Sequence, residues 1–162
     1  MSTAETARVT TFVAVAPADA FEVFTDEIDL WWRRSIRFRV GGAKQSELRF
    51  VRDGQERRLV EHYANGTHVI GRVLAWEPGK RLVFEWRLRN FAPDEVTEVE
   101  VRFEPMGEGT KVTLEHRGWE AIRGDHPARH ALRGHALSAL IGGMWGELLT
   151  GLRQFVRAKP SA

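Results

Sequence analysis

The sequence predicts a single α+β domain, in which a curved antiparallel sheet of about six or seven strands wraps around a long C-terminal helix. From residue 9 to about residue 117, apolar and polar residues alternate in short segments separated by turn signals, which is typical of antiparallel strands. From about residue 128 the apolar residues recur at spacings of three and four residues, which is typical of one face of a helix. The length of 162 residues suits one domain.

The beginning of the chain predicts one strand and then short helices. Residues 9–15 alternate and are rich in β-branched side chains, which favours a strand. Pro17 suits the first position of a helix, and Phe21 and Phe24 follow at helical spacing. We therefore expect one or two short helices that end near residues 31–32.

A run of hairpins is expected next. Asn65-Gly66 is the strongest turn signal in the chain, and Pro78-Gly79 ends another strand. Residues 38–42 show no clear pattern. The expected strands cover residues 48–50, 58–63, 67–76, 82–88, 99–103 and 112–116. Because short turns join them, we expect an antiparallel meander rather than parallel βαβ units.

The C-terminal helix carries the only long apolar stripe. Its apolar residues are Leu137, Leu140, Ile141, Met144, Trp145, Leu148, Leu152, Phe155 and Val156. Gly142, Gly143, Gly146 and Gly151 interrupt it, and each costs a helix interior about 1 kcal/mol relative to alanine. We interpret these glycines as a kink or as points of close packing against the sheet.

Composition excludes several classes of site and partner. The formal charge is +2, with basic and acidic residues interleaved, so no nucleic-acid partner is expected. Cysteine is absent, which excludes disulfides, thiolate metal sites and a cysteine nucleophile. No apolar stretch approaches the roughly 18 residues of a membrane span, so no membrane insertion is expected.

The start of the chain lacks the features of a secretory signal, and a cytoplasmic location is expected. The domain is expected to span residues 1–162, with residues 1–7 and 159–162 loose.

Several segments together resemble a known superfamily. They are GRVLAWEP at 71–78, RLVFEW at 81–86, TEVEVRF at 97–103, GTKV at 109–112 and EHRGW at 115–119. Their order and spacing are similar to the START-like (SRPBCC) superfamily of helix-grip proteins. The most similar branch is named for its likeness to the C-terminal domain of the activator of the heat-shock-protein-90 ATPase. The resemblance covers residues 8–157.

The resemblance implies a fold but does not choose an activity. Members of the superfamily bind lipids and other apolar molecules, cyclise polyketides, or support chaperones, and a fold does not decide among such roles. The favoured hypothesis is a binder of a small apolar molecule, held in a cavity between the sheet and the C-terminal helix. The alternatives are a cyclase- or hydrolase-type enzyme and a co-chaperone-like module with a chaperone partner.

The expected lining of that cavity combines inward-facing strand residues with residues of the helices. The predicted ligand-binding residues are Phe24, Trp31, Phe84, Trp86, Val101, Leu114, His116, Leu140, Met144 and Leu148. Aromatic side chains dominate both cores and apolar pockets, so core packing is the alternative for each.

His116 and Glu61 are the only candidates for catalysis. His116 shares a face with Val112 and Leu114, so its imidazole is expected to point inward. It could act as an acid or base there, or it could be a core histidine bonded to a neighbour. Glu61 shares a face with Leu59, and the two candidates would form an acid–base pair only if the fold brought them together.

No metal or other cofactor is predicted. His126 and His130 are four residues apart, the spacing of a metal-binding pair on a helix. Pro127 is expected to place His126 before the helix, however, and no third ligand is apparent.

Overall fold

A computed structural model describes residues 4–42 and 45–160 of the chain. The elements in chain order are β1 (Ala7–Val13), α1 (Pro17–Asp26), α2 (Ile28–Trp31), β2 (Ser46–Asp53), β3 (Glu56–Tyr63), β4 (Gly66–Glu77), β5 (Arg81–Trp86), β6 (Thr97–Met106), β7 (Gly109–Arg117) and α3 (Gly134–Ala158). Two 3₁₀ turns, Trp119–Ala121 and Pro127–Arg129, lie between β7 and α3. This arrangement confirms the predicted α+β helix-grip fold.

The seven strands form one antiparallel sheet in the order β1-β7-β6-β5-β4-β3-β2. From β2 to β7, neighbours in the sheet are also neighbours in the chain, which confirms the predicted meander. β1 pairs with β7 at the far edge, where α3 also packs against β1. The first strand and the last helix are therefore close together, although they are distant in sequence.

Two bulges in β4 bend the sheet. Ile70 is left out of the register with β3, and Leu74 is left out of the register with β5. Such insertions increase the local twist and bend of a strand. At the first bulge a Cβ atom on Gly71 would lie 1.8 Å from the carbonyl oxygen of Glu85, so only glycine fits.

The concave face of the sheet packs against α3 and the two short helices. The buried residues of α3 are Leu137, Ile141, Trp145, Leu148, Leu149, Leu152 and Val156. Trp32, Trp86 and Trp145 contact one another, with ring centroids 5.3 to 6.1 Å apart. Close packing explains Gly151, where a Cβ atom would lie 3.1 Å from the carbonyl oxygen of Trp31, but not Gly143, which faces open space.

The last helix begins later than its apolar pattern predicts, at Gly134 rather than near residue 128. His130 and Ala131 have φ values of 49° and 59°, in the left-handed region that L-residues rarely adopt. These two residues turn the chain before the helix begins. The 3₁₀ turn at Pro127–Arg129 is therefore separated from α3.

Part of the N-terminal segment expected to be loose is fixed by the start of α3. The Glu5 carboxylate accepts hydrogen bonds from the Arg129 guanidinium (2.6 Å) and from the backbone N–H of Gly134 (2.9 Å). Glu5 is buried, and the Arg129 bond holds the pKa of its carboxyl below the ordinary value. Glu5 is thus held by contacts with residues distant in the chain.

The convex face of the sheet is charged. Glu100 on β6 is buried beneath Arg81, Arg102 and Arg117, which donate to its carboxylate at 2.6 to 3.0 Å. Burial opposes ionisation of Glu100, but these guanidiniums outweigh it and lower its pKa to about 2.

Within the described ranges, no helix has the length and apolar content needed to cross a membrane.

Candidate functional site

An open groove lies where the concave face of the sheet meets α3 and the loop at 36–40. We call it the Met144 groove; its volume is about 370 Å³. Its apolar lining residues are Ile36, Phe38, Val40, Ile70, Trp86, Leu88 and Met144. Its polar lining residues are Arg37, Arg39, Glu61, His68, Arg87 and Arg89. The mixture of an apolar lining and a few polar groups is typical of small-molecule sites.

Met144 reaches the groove because it lies on one flank of the apolar stripe of α3. At 3.6 residues per turn, it is about 80° from the centre of the buried stripe. Trp86 reaches it from the last position of β5, and Ile70 from the first bulge of β4. Ile36 extends over the mouth of the groove and is 86% exposed, unlike the other six apolar lining residues.

Buried polar contacts hold the loop at 36–40 in place. The guanidinium of Arg39 is fully buried and donates to the Asp29 carboxylate (2.6 Å) and to the carbonyl oxygens of Asp29 and Trp32. The Glu61 carboxylate accepts hydrogen bonds from the backbone N–H groups of Val40 (3.0 Å) and Gly41 (2.7 Å). One wall of the groove is therefore an irregular loop with a fixed backbone.

Asp29 stays ionised in this arrangement. Burial works against its ionisation, but the backbone N–H of Leu48 and the Arg39 guanidinium outweigh burial and hold the pKa of Asp29 below its ordinary value. Burial also works against the charge of Arg39, because it lowers the pKa of the guanidinium.

His68 lines the groove and bonds through one ring nitrogen to the backbone. Its Nε2 lies 2.8 Å from the carbonyl oxygen of Arg87, and a carbonyl oxygen can only accept, so Nε2 carries the proton. Burial lowers the pKa of His68, so the ring is neutral at pH 7 and its Nδ1 carries a lone pair.

His116 lies outside the groove and is a core histidine. Its Nδ1 accepts a hydrogen bond from the Trp145 indole (2.9 Å), so its Nε2–H donates to Thr97 Oγ1 (2.7 Å). Thr97 in turn donates to the carbonyl oxygen of Trp86 (3.2 Å). The ring is 0% exposed, and burial lowers its pKa to about 3. Both nitrogens are occupied, and His116 links α3 to the sheet.

The structure does not bring His116 and Glu61 together. Glu61 is on β3 and His116 is on β7, with β4, β5 and β6 between them. Both oxygens of Glu61 accept from the backbone of the 36–40 loop and its neighbour Gly41. Neither side chain presents a free acid or base to the other.

Two of the ten predicted ligand-binding residues, Trp86 and Met144, line the groove. Seven others are buried at 3% exposure or less: Phe24, Trp31, Phe84, Val101, Leu114, His116 and Leu148. Leu140 is 37% exposed, in contrast to the prediction that it faces inward. The reason is helical phase, since Leu140 lies about 120° from the centre of the buried stripe of α3.

Apart from Glu61, the remaining lining residues were not predicted from the sequence. Ile36 and Phe38 belong to a loop without periodicity, so no pattern indicated which way they point. Ile70 and His68 belong to β4, where each bulge reverses the alternation of inward and outward residues. Arg87 and Arg89 lie beyond Trp86, where β5 ends earlier than the expected strand 82–88, so strand alternation does not indicate which way they point.

Comparison with known families agrees with this architecture. The family described as Activator of Hsp90 ATPase homolog 1-like protein matches residues 14–156. The chain belongs to this family. The match extends from just after β1 almost to the end of α3, so both walls of the Met144 groove lie inside it.

Solved structures of similar fold share little sequence with this member of the family. Protein MLL2253 from Mesorhizobium loti is 22% identical with a TM-score of 0.62, and the match covers 96% of this chain and 99% of that one. CalU16 from Micromonospora echinospora is 20% identical with a TM-score of 0.58, covering 96% and 76%. The Aha1 dimer from Colwellia psychrerythraea is 15% identical with a TM-score of 0.57, covering 96% and 98%. These likenesses support the fold alone. No curated protein matches the chain.

Proposed function

We propose that this protein binds a small, mainly apolar molecule in the Met144 groove. The observation that carries the proposal is the lining, in which seven apolar side chains from the sheet, α3 and the 36–40 loop converge on one open groove. A volume of about 370 Å³ is near the lower end of the range for ligand pockets, roughly 300–1,000 Å³, so the ligand is small.

Binding would bury apolar surface that the fold leaves exposed to solvent. Ile36 is 86% exposed beside the groove, although apolar side chains gain free energy when they leave water. A ligand lying between Ile36, Trp86 and Met144 would cover this surface. The centre of the sheet–helix interface is filled by buried side chains, so the proposed site is at its open end rather than in its middle.

The first test is a titration with 1-octanol, a small apolar probe. Binding is monitored through the NMR signals of the backbone amides and the tryptophan indoles. We expect shifts to concentrate at the groove, including the Trp86 indole and the amides of Ile70 and Met144. Met144→Trp would fill the groove and remove binding. The matched control is Met106→Trp, because Met106 is 54% exposed at the β6–β7 turn and does not line the groove.

The alternative outcomes are distinct. Equal binding by the two tryptophan variants would show that the groove is not the site. Octanol shifts confined to core residues such as Phe84 and Leu114 would instead indicate that the interior opens to admit the ligand.

A protein-binding role is the second candidate. The family description names an activator of a chaperone ATPase, and Leu30 and Ile36 expose apolar side chains at 63% and 86%. A chaperone partner would contact these side chains, and Leu30→Asp and Ile36→Asp would each weaken capture of the host chaperone. Retained capture by both variants would count against this role.

A further inference from the structure

Arg89 marks one end of the Met144 groove. It borders three surface depressions: the groove itself, one that extends towards Gln45 and Asn65, and one that extends towards Phe91 and Pro93. It is exposed in the turn after β5, with its guanidinium 5.8 Å from the centre of the Tyr63 ring. Its position is therefore open to a ligand in any of the three depressions.

Arg89 differs in its charge balance from Arg37 and Arg39, two other arginines of the groove. Arg37 pairs with Glu147 at 3.0 Å, and Arg39 pairs with Asp29 at 2.6 Å. Across residues 4–42 and 45–160, Arg89 forms no ion pair. Its guanidinium faces the Tyr63 ring instead of a carboxylate, which leaves the positive charge uncompensated.

The one carboxylate that lines the groove, that of Glu61, forms no ion pair with Arg89 among the described residues. Both oxygens of Glu61 accept from backbone N–H groups of Val40 and Gly41, and Glu61 is 2% exposed. Arg87 also forms no ion pair within the described residues, but its Nη1 already donates to the carbonyl oxygens of Pro93 and Glu95. Arg89 is thus the cation best placed to meet a charged ligand group.

We propose that the ligand of the groove is an apolar carboxylate, whose charged end contacts Arg89 while its apolar part covers Trp86 and Met144. The proposal rests on the function proposed above and specifies the chemical class of the ligand. A guanidinium presents paired N–H donors that match a carboxylate, and the Tyr63 ring supports the opposite side of the cation. A cation without a carboxylate partner, placed at one end of an apolar groove, suits an anionic group on an apolar molecule.

The test compares three probes in NMR titrations of the full chain. Octanoate carries both the tail and the charge, 1-octanol carries the tail without the charge, and acetate carries the charge without the tail. We expect octanoate to bind roughly tenfold more tightly than 1-octanol, the scale of a charge-assisted hydrogen bond at a partly exposed site. Acetate should bind far more weakly than either.

Variants at Arg89 separate the charge from the groove. Arg89→Gln should weaken octanoate binding roughly tenfold and leave 1-octanol binding within about twofold, since the tail site is untouched. Arg89→Lys keeps the charge but loses the planar fork, so it should restore part of the octanoate affinity. The control is Arg153→Gln, an exposed arginine on the outer side of α3, which should change neither affinity.

Each contrary result has its own meaning. One such result is equal affinity of octanoate and 1-octanol for the groove, both in the native chain and in Arg89→Gln. In that case the groove is a ligand site, but Arg89 does not recognise a carboxylate. If acetate binds as tightly as octanoate, Arg89 is a bare anion site and the inference is wrong. If neither eight-carbon probe shifts groove signals, the proposed function itself fails.

Discussion

The burial of His116 makes the stability of the fold depend on pH. The imidazole is 0% exposed, and burial lowers its pKa to about 3 from the ordinary value of 6.5. The folded chain therefore binds fewer protons than the unfolded chain between about pH 6.5 and pH 3. Stability from the neutral ring is complete above pH 6.5 and is lost as the pH falls through that interval.

The size of the effect follows from the two pKa values. With 6.5 in the unfolded chain and about 3 in the folded chain, His116 alone removes about 2 kcal/mol of unfolding free energy between pH 7 and pH 5. That is a large share of a typical domain stability of roughly 5–15 kcal/mol. Glu100 contributes little in this interval, because its pKa falls from 4.5 to about 2 and its stabilisation is lost only at lower pH.

The assay is urea unfolding at pH 7 and at pH 5 for three proteins. His116→Gln keeps an acceptor for the Trp145 indole and a donor for Thr97 but does not titrate. We expect its loss of stability between the two pH values to be about 2 kcal/mol smaller than that of the native chain. His135→Gln, at an exposed position near the start of α3, is the control and should behave like the native chain. Equal pH dependence in the native chain and in His116→Gln would refute the assignment of His116 as a buried neutral ring.

Two further pairs of substitutions, each a test with its control, probe the backbone contacts near the groove. Gly71→Ala should destabilise the fold by about 3 kcal/mol or more in urea unfolding, because its Cβ would lie 1.8 Å from the Glu85 carbonyl oxygen. Gly143→Ala, in open space on α3, should instead stabilise the fold by up to about 1 kcal/mol, and a loss there would contradict the helical packing described. Glu61→Gln places an amide N–H among the donors of Val40 and Gly41, so hydrogen exchange at those two amides should accelerate and stability should fall by about 1–3 kcal/mol. Glu47→Gln on the exposed edge of β2 serves as its control, and unchanged exchange in Glu61→Gln would mean that the carboxylate does not hold the loop.

The strands and helices were predictable because each carries its own periodicity. Strands such as β6 alternate regularly, and Val99, Val101 and Phe103 are all buried as their pattern predicts. The inward position of His116 followed from the same rule, since it shares a face with Leu114. In such elements, the direction in which each side chain points is a local property of a regular backbone.

The composition of the groove was not predictable in this way. The two bulges of β4 reverse its alternation, so Ile70 faces the groove although no local pattern indicates it. The loop at 36–40 has no period, and its position depends on contacts with Asp29, ten residues before Arg39, and with Glu61, 21 residues after Val40. Buried hydrogen bonds between distant segments fix such a loop, and a single sequence does not display them.

The sequence by itself therefore determined the fold class, the order of the strands along the chain and the family resemblance, because these follow from periodicity, turn chemistry and motif spacing. The tertiary structure alone decided that His116 and Glu61 are separated by three strands, and that Met144 lies at an open groove while Leu140 faces outward. The physical reason is that sheet curvature, strand bulges and helix rotation are set by packing across the whole domain. Arg89 acquires its proposed role in the same way, since only the folded chain shows which arginines of the groove already have a carboxylate partner.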